Sequence, residues 1–588
     1  MKVLLTTLNA RYVHTNLAIR YIKKFCEKSF KDIKFREYTI NDDERNIISD
    51  IYLADVDILG FSCYIWNIER TLNIIETLKK IKPEMIIVLG GPEVSYDSYE
   101  LMKKYPFIDY IIYGEGEITF FELLDYLINR NGNISNIDGL VYRRGSKVFK
   151  NRERKLIDKL DILPFPYDVD ELERLRNEKR IVYYESSRGC PFECTYCLSS
   201  TIKGVRYFDL NRVKMDLKKF IHSGIGLVKF VDRTFNCNKV RTAEILKFIL
   251  DNSKKTSFHF EIGGDLLDDD ILHLLSKMPP KLIQFEIGVQ TTKKETLEII
   301  NRKMDFGRLK KAVKLISSYN NIHQHLDLIA GLPGETYDDI ANSFNDVYEL
   351  NTERIQLGFL KLLKGSGIRG NAYIYEYKFE SRPPYEVLAN NTLSFKDLAR
   401  LKDIEDILEK YYNSHRFDII LKYLITYFPS PFKFFENFSI FWRQKGLFKV
   451  SHSLMDLYKI LLEYFKENIK GDVEVFKEVI KFDFLSSNKD MPLPEYLRRD
   501  NSVLTKGKIR EFFSKKENTE KYLPELSGFS IKDINKYVIL EEFDFDILSF
   551  SLGENKSVIK SKQIYLFLYG GNQVLNRARV FRIPLQIF

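Results

Sequence analysis

Cysteine is scarce in this chain, with six in 588 residues, and three of the six fall within the eight residues "CPFECTYC" at 190–197. The other three, Cys26, Cys63 and Cys237, stand alone, which excludes a disulfide-stapled scaffold and fits a reducing compartment, the cytoplasm. A second C-x2-C knuckle is missing, and without one a structural zinc site lacks its fourth ligand. No uncharged apolar run approaches the roughly 18 residues of a membrane span. "MKVLLTTLN" has neither the basic start nor the long apolar stretch of a secretion signal. Charge of one sign is also weak: 91 basic and 82 acidic residues leave a net +9. That balance permits a polyanionic partner without requiring one.

What the chain does have is hydrophobic patterning at βα spacing. Over residues 1–140, apolar strands are expected at 2–8, 33–40, 57–63, 85–91 and 110–116, separated by helical-period segments such as "IERTLNIIETLKKI" (68–81). This alternation predicts an α/β domain with a parallel, doubly wound, Rossmann-like sheet covered on both faces. Glycine and small polar residues gather after the third, fourth and fifth strands: Gly60 and Ser62, Gly90 and Gly91, Gly114 and Gly116. In an open α/β sheet those strand ends form the ligand crevice. Residues 141–178, with the basic run "YRRGSKVFKNRERK" (142–155), read as a linker that begins in a hairpin.

A second series over 179–375 carries six expected strands, at 180–187, 227–233, 257–263, 282–290, 325–331 and 354–362. Six βα units predict an open, partial (β/α)6 barrel whose reactive groups sit at the C-terminal strand ends. The cysteine cluster falls just after the first of these strands. From 376 to 588 the pattern is mostly helical and rich in aromatic and basic residues, and its aromatics are expected in a core.

Three thiolates on one loop can hold a cubane iron–sulfur cluster and leave one iron without a protein ligand. An iron left open can bind and polarise a small molecule. "RGCPFECTYC" (188–197) also resembles the signature of the radical S-adenosylmethionine (SAM) enzymes. The resemblance implies that Cys190, Cys194 and Cys197 ligate a [4Fe–4S] cluster whose fourth iron chelates SAM. One-electron reduction then cleaves SAM to methionine and a 5′-deoxyadenosyl radical. It further implies SAM contacts from Tyr196, Asp232 and Arg233 in "FVDRTFN" and from Glu261. Glu286 and Gln290 in "FEIGVQT" would meet the ribose, and the backbone of Leu328 and Gly331 in "DLIAGLPGE" the adenine. Where many members have a glycine-glycine-glutamate, this chain has Asp232 and Arg233.

The stretch "GFSCYIWN…LGGPEVS…YGEGE" (60–117) looks like the cobalamin-binding domain joined to one class of these enzymes. The resemblance implies that Ser62, Tyr64, Gly90, Gly91, Pro92, Glu93, Gly114, Glu115, Gly116 and Glu117 cradle cobalamin. The Asp-x-His-x-x-Gly motif that supplies a lower cobalt ligand elsewhere is absent. His14 is the nearest substitute, and a base-off cobalamin without a protein histidine is the preferred expectation. Together the two resemblances cover about 1–375. "FVDRTFNCN" and "LKLLKGSGIR" (360–369) mark a subfamily with a C-terminal extension.

The pair of cofactors points to a C-methyltransferase acting on an unactivated carbon, supplied with electrons by flavodoxin or ferredoxin and acting as a monomer. Radical cyclisation or ring rearrangement is the alternative on the same scaffold. A methylthiotransferase would need three further cysteines in the N-terminal domain. A cobalamin-binding sensor is the non-enzymatic reading, which the intact cysteine triad opposes. For substrate, the basic segments, including "RARVFR" (577–582), suggest a modified nucleoside in transfer RNA. A peptide or small natural product is the alternative.

Overall fold

The computed structural model describes residues 1–498, 502–570 and 577–588. The N-terminal domain is built on a seven-stranded sheet. Its strands are β1 (Val3–Asn9), β2 (Ile33–Thr39), β3 (Ile58–Ser62), β4 (Ile86–Gly90), β5 (Tyr110–Ile112), β6 (Leu140–Arg144) and β7 (Lys147–Lys150). The order is β2-β1-β3-β4-β5-β6-β7. The first five are the parallel strands expected from the sequence, registered for example Val3 to Ile33 and Ile58 to Ile86. All seven residues of β1 and all five of β3 are buried, because helices cover both faces of a doubly wound sheet. One apolar cluster lies on one face around Leu59, Ile75 and Leu89, and another on the opposite face around Ile58, Phe120 and Leu124. The expected hairpin is β6–β7, and it does more than lead into a linker. β6 pairs antiparallel with β5 and extends the sheet.

The second domain contains β8 (Val182–Tyr184), β9 (Ser187–Cys190), β10 (Gly204–Tyr207), β11 (Leu227–Phe230), β12 (Ser257–Ile262), β13 (Ile283–Gln290), β14 (His323–Ala330) and β15 (Arg354–Phe359). Six of them form the open barrel sheet in the order β15-β14-β13-β12-β11-β8. In β12 and β13 buried residues alternate strictly with half-buried ones. Phe258, Phe260, Ile262 and Ile283, Phe285, Ile287 turn to the core, while His259, Glu261, Gln284 and Glu286 take the opposite face, which is the lumen. The first expected strand, 180–187, stops early. β8 ends at Tyr184, and the chain leaves the barrel to form a separate β9–β10 hairpin.

Contacts divide the chain into two compact units, Met1–Ile316 with Ile329–Thr336 and Gly358–Ser394, and Ser317–Leu328 with Tyr337–Leu357 and Phe395–Phe588. The second unit is mostly helical, with helices including Phe395–Tyr411, Pro431–Gln444, Leu454–Asn468 and Val473–Ser487. Phe432, Phe434, Phe435, Phe438 and Trp442 are fully buried, so the aromatics of 428–448 are core, as expected. Strands closing the chain form a small antiparallel sheet of Val538–Asp546, Ile559–Leu568 and Arg579–Ile583.

Candidate active site

The cysteine loop is anchored at its base by Asp232. This carboxylate is 1% exposed and accepts from Ser186 N (2.9 Å), Ser186 Oγ (2.6 Å) and Ser187 Oγ (2.5 Å). Burial raises its pKa to about 6 against the opposing effect of the serine hydrogen bonds. The bonds end β8 and turn the chain into β9, where Cys190 lies opposite Gly204. Gly189 has φ +101°, and a Cβ there would stand 2.2 Å from the Gly204 carbonyl oxygen, so the residue before the first cysteine must be glycine. Cys194 is buried, and Cys190 and Cys197 are half-buried. Cys197 N donates to Cys194 O (3.1 Å) and Thr195 N to Ile300 O (3.0 Å), which curls the loop.

The thiol of Cys194 is raised by burial, lowered by Arg302 and raised again by the neighbouring Cys197 and Cys190. The three sulfurs therefore lie in one electrostatic neighbourhood. Among the described residues no three His, Cys, Asp or Glu side chains are grouped to hold a metal ion. A cubane makes a different demand, since each thiolate binds a different iron. Arg302 caps this side of the loop: Nη1 is 3.9 Å from Cys194 Sγ and 3.3 Å from Tyr196 Oη, and Nη2 donates to Gly288 O.

Along the lumen, Tyr183 on β8, Lys229 on β11, His259 on β12 and Gln284 on β13 share one register. Glu261 and Glu286 stand side by side one layer nearer the mouth. Lys229 Nζ and His259 Nε2 each lie 3.0 Å from Glu286 Oε2. Burial pushes the Glu286 pKa up, but His259 and Lys229 outweigh it and hold the carboxyl at about 2. Burial and the Glu286 charge raise Glu261. At the end of β13, Gln290 has φ +72°, and its Oε1 is buried without a hydrogen-bond partner. That orphaned acceptor fits a donor supplied by a bound molecule. The carbonyl of Gly331 accepts from Tyr377 Oη (2.8 Å), while Leu328 is buried in β14. Arg233 lies next to Asp232, and its charge lowers the Glu261 pKa.

In the N-terminal domain the glycine-rich strand ends lie together at one edge, because β3, β4 and β5 are neighbours in the sheet. Ser62 O accepts from Thr7 Oγ1 and Asn67 Nδ2, both at 3.1 Å. Tyr64 stacks on Trp66 with ring centroids 4.4 Å apart, and Trp66 is 45% exposed. Cys63 N donates to Gly90 O (2.7 Å). Gly91 and Pro92 open the short helix Pro92–Ser95, in which Glu93 is buried. Gly114 and Gly116 flank Glu115 at the start of the helix Gly116–Asn129.

Two of the acidic residues here are engaged by the barrel. Arg188, two residues before Cys190, lies 3.0 Å from Glu115, 2.9 Å from Glu117 and 2.9 Å from Glu185, and Arg206 lies 2.8 Å from Glu115. His14 is likewise held, its Nδ1 2.8 Å from Tyr183 Oη. Burial and the charges of Arg11, Lys229 and Arg180 lower its pKa, which favours the neutral ring.

Three residues important to this geometry were not singled out from the sequence. Arg188 stands inside the cysteine motif and Arg302 well beyond it, and nothing local marks either, because the groups that define their roles come from distant parts of the chain. Lys364 lies in "LKLLKGSGIR" (360–369), whose basic residues suggest an RNA backbone rather than a tie within the protein.

Residues 3–124 match the B12 binding domain, residues 184–347 the Radical SAM superfamily, and residues 374–567 a family described as a protein of unknown function, DUF4080. A 2-(S-pantetheinyl)-carbapenam-3-carboxylate methyltransferase of Streptantibioticus cattleyicolor is 27% identical over 357 residues, which are 56% of this chain and 50% of that protein. An uncharacterized methyltransferase of Pyrococcus horikoshii is 25% identical over 384 residues, 64% of this chain and 80% of that one. The chain thus spans about half the length of the first of these relatives. The structure of the cobalamin-dependent S-adenosylmethionine radical enzyme OxsB, with aqua-cobalamin and S-adenosylmethionine bound, superposes with a TM-score of 0.56 at 15% identity. It covers 82% of this chain and 78% of that one.

Proposed function

We propose that this chain, which joins a B12-binding domain to a radical SAM domain, is a cobalamin-dependent radical C-methyltransferase. The observation that carries this reading is Arg188, which ties the cysteine loop to Glu115 and Glu117 at the glycines of the N-terminal edge. That tie supports placing the two candidate cofactor sites against one working space. Cys190, Cys194 and Cys197 would hold a [4Fe–4S] cluster. Tyr196, Gln290 and the backbone around Gly331 would line SAM. Ser62, Tyr64, Gly90, Gly91, Pro92, Gly114 and Gly116 would cradle cobalamin. When bound, these groups supply one-electron cleavage of SAM and a methyl group carried on cobalt.

The protein's part is to hold, orient and exclude water. Asp232 fixes the base of the loop. Arg302 places a positive charge against Cys194. Lys229, His259 and Glu286, locked together, present a polar lumen where a complete barrel would place branched aliphatic side chains. We assign the substrate to this lumen, with the neutral His14–Tyr183 pair on its wall, and we do not assign His14 to cobalt. Flavodoxin or ferredoxin would supply the electron.

Several of the basic residues behind the transfer RNA reading are engaged within the protein. Arg152 pairs with Asp138, Arg154 with Glu122, Arg577 with Asp418 and Asp483, and Arg582 with Asp546. We therefore favour a small molecule or peptide over a transfer RNA nucleoside.

The test is anaerobic reconstitution with iron, sulfide, hydroxocobalamin and methyl-labelled SAM. Formation of S-adenosylhomocysteine together with 5′-deoxyadenosine supports methyl transfer. Deoxyadenosine alone points to cyclisation or rearrangement. Tight, salt-sensitive binding of labelled transfer RNA would reverse the choice of substrate.

A further inference from the structure

The segment that follows the barrel, "LKLLKGSGIR" (360–369), takes no part in the chemistry described so far. It crosses from the turn after β4 to the cysteine loop. At one end, Lys364 Nζ lies 3.0 Å from Glu93 Oε1 and 2.9 Å from Asp97 Oδ2. Glu93 is 2% exposed and also accepts from Tyr385 Oη. Burial opposes the charge on Lys364, but Asp97 and Glu93 outweigh it and raise its pKa. The ammonium is therefore held charged between two carboxylates.

Gly365 follows with φ +82°, and a Cβ on it would stand 2.1–2.4 Å from three atoms of the Tyr96 ring. No side chain fits there. Tyr96 Oη in turn is 2.9 Å from Thr201 Oγ1, just beyond Cys197. Four residues after Lys364, Ile368 N donates to Thr195 O (2.9 Å), between Cys194 and Tyr196. Arg369 closes the segment on itself, donating to Leu362 O (2.7 Å) and lying 4.5 Å over the Tyr385 ring.

We propose that residues 364–368 are a positioning strap that sets the separation between the cobalamin-binding edge and the cysteine loop, with Lys364 as its anchoring residue. The proposal rests on the two-cofactor reading of the site given above. Ile368 follows only four positions after Lys364, and the residues between form a turn packed through Gly365 against Tyr96 that leads into the helical turn Gly367–Gly370, so a shift at Lys364 is passed on to Thr195. Removing the ammonium leaves Glu93 and Asp97 facing each other without a counter-charge. Groups that react must meet within about 3–3.5 Å, and a misplacement of about 1 Å costs about 100-fold. The strap therefore governs reactions that need both sites and spares those that need only one.

The test uses the reconstituted full chain with SAM, hydroxocobalamin and titanium(III) citrate, and no further substrate. Deoxyadenosine formation needs SAM at the cysteine loop alone. S-adenosylhomocysteine formation by methyl transfer to reduced cobalamin needs both edges. Lys364→Met and Gly365→Ala are expected to lower the ratio of S-adenosylhomocysteine to deoxyadenosine about 100-fold, and Lys364→Arg to restore most of it. Wild-type ratios in both disruptive variants would overturn the strap. Wild-type protein that forms neither product would instead overturn the two-cofactor reading. In that event amide exchange of the cofactor-free chain decides. Lys364→Met should raise exchange in 92–98 and 194–201 together, and a rise confined to 92–98 would overturn the proposal.

Discussion

Arg302 lies against one proposed cluster ligand, with Nη1 3.9 Å from Cys194 Sγ, and against Tyr196 Oη beside it. A buried positive charge beside a cluster favours its reduced, more negative state. Arg302→Met is expected to make the cluster's midpoint potential more negative by on the order of 50 mV, a several-fold change in the reduction equilibrium for one electron. Potentiometric titration followed by electron paramagnetic resonance reads it, and an unchanged potential would show that Arg302 only shapes the loop. Cys194→Ala is expected to remove the cluster's visible absorbance and all deoxyadenosine formation, because two thiolates cannot retain the cubane. At this scale the cysteine triad and its preceding glycine were legible, since the motif is local. The partners of Asp232, Glu115 and Glu117 were not, because Ser186, Arg188 and Arg206 reach them from 46, 71 and 91 residues away.

Elements carry a second set of expectations. Strands β12 and β13 alternate buried and half-buried residues, and the half-buried set includes His259 and Glu286, which meet Lys229 of β11. The folded pKa of Glu286 is held at about 2, below its ordinary 4.5. Its contribution is therefore fully present above pH 4.5 and is lost as pH falls from there toward 2, up to about 3 kcal/mol in all. Glu286→Gln should destabilise the protein at pH 6, and the gap to wild type should narrow below pH 4.5. Urea midpoints across that range read this, and a gap independent of pH would sink the argument. Strand positions were legible from apolar runs at βα spacing. The early end of β8 was not, because "YESS" continues a strand-like pattern until Asp232 draws both serines away.

For the molecule as a whole, the seam between the N-terminal domain and the barrel depends on Arg188. Burial opposes its charge, but Glu117, Glu185 and Glu115 more than offset that and raise its pKa. Arg188→Met would leave Glu117 and Glu185 uncompensated, with Glu115 still paired to Arg206, at a cost of about 3–5 kcal/mol. The expected outcome is a lower first thermal transition, with earlier proteolysis in 151–178. An unchanged transition would mean that the seam is held elsewhere.

The sequence by itself determined the fold classes and pointed to the cluster chemistry, since periodicity and a compact cysteine motif are written in neighbouring residues. It also placed the glycine-rich edge and the βα barrel in the right order along the chain. Only the tertiary structure decided which acidic residues are free for a ligand and which arginines are engaged in ion pairs. It alone showed that "LKLLKGSGIR" spans two sites. The physical reason is that charges choose partners by proximity in space, and burial decides how strongly each pair is held, neither of which can be read from position along the chain.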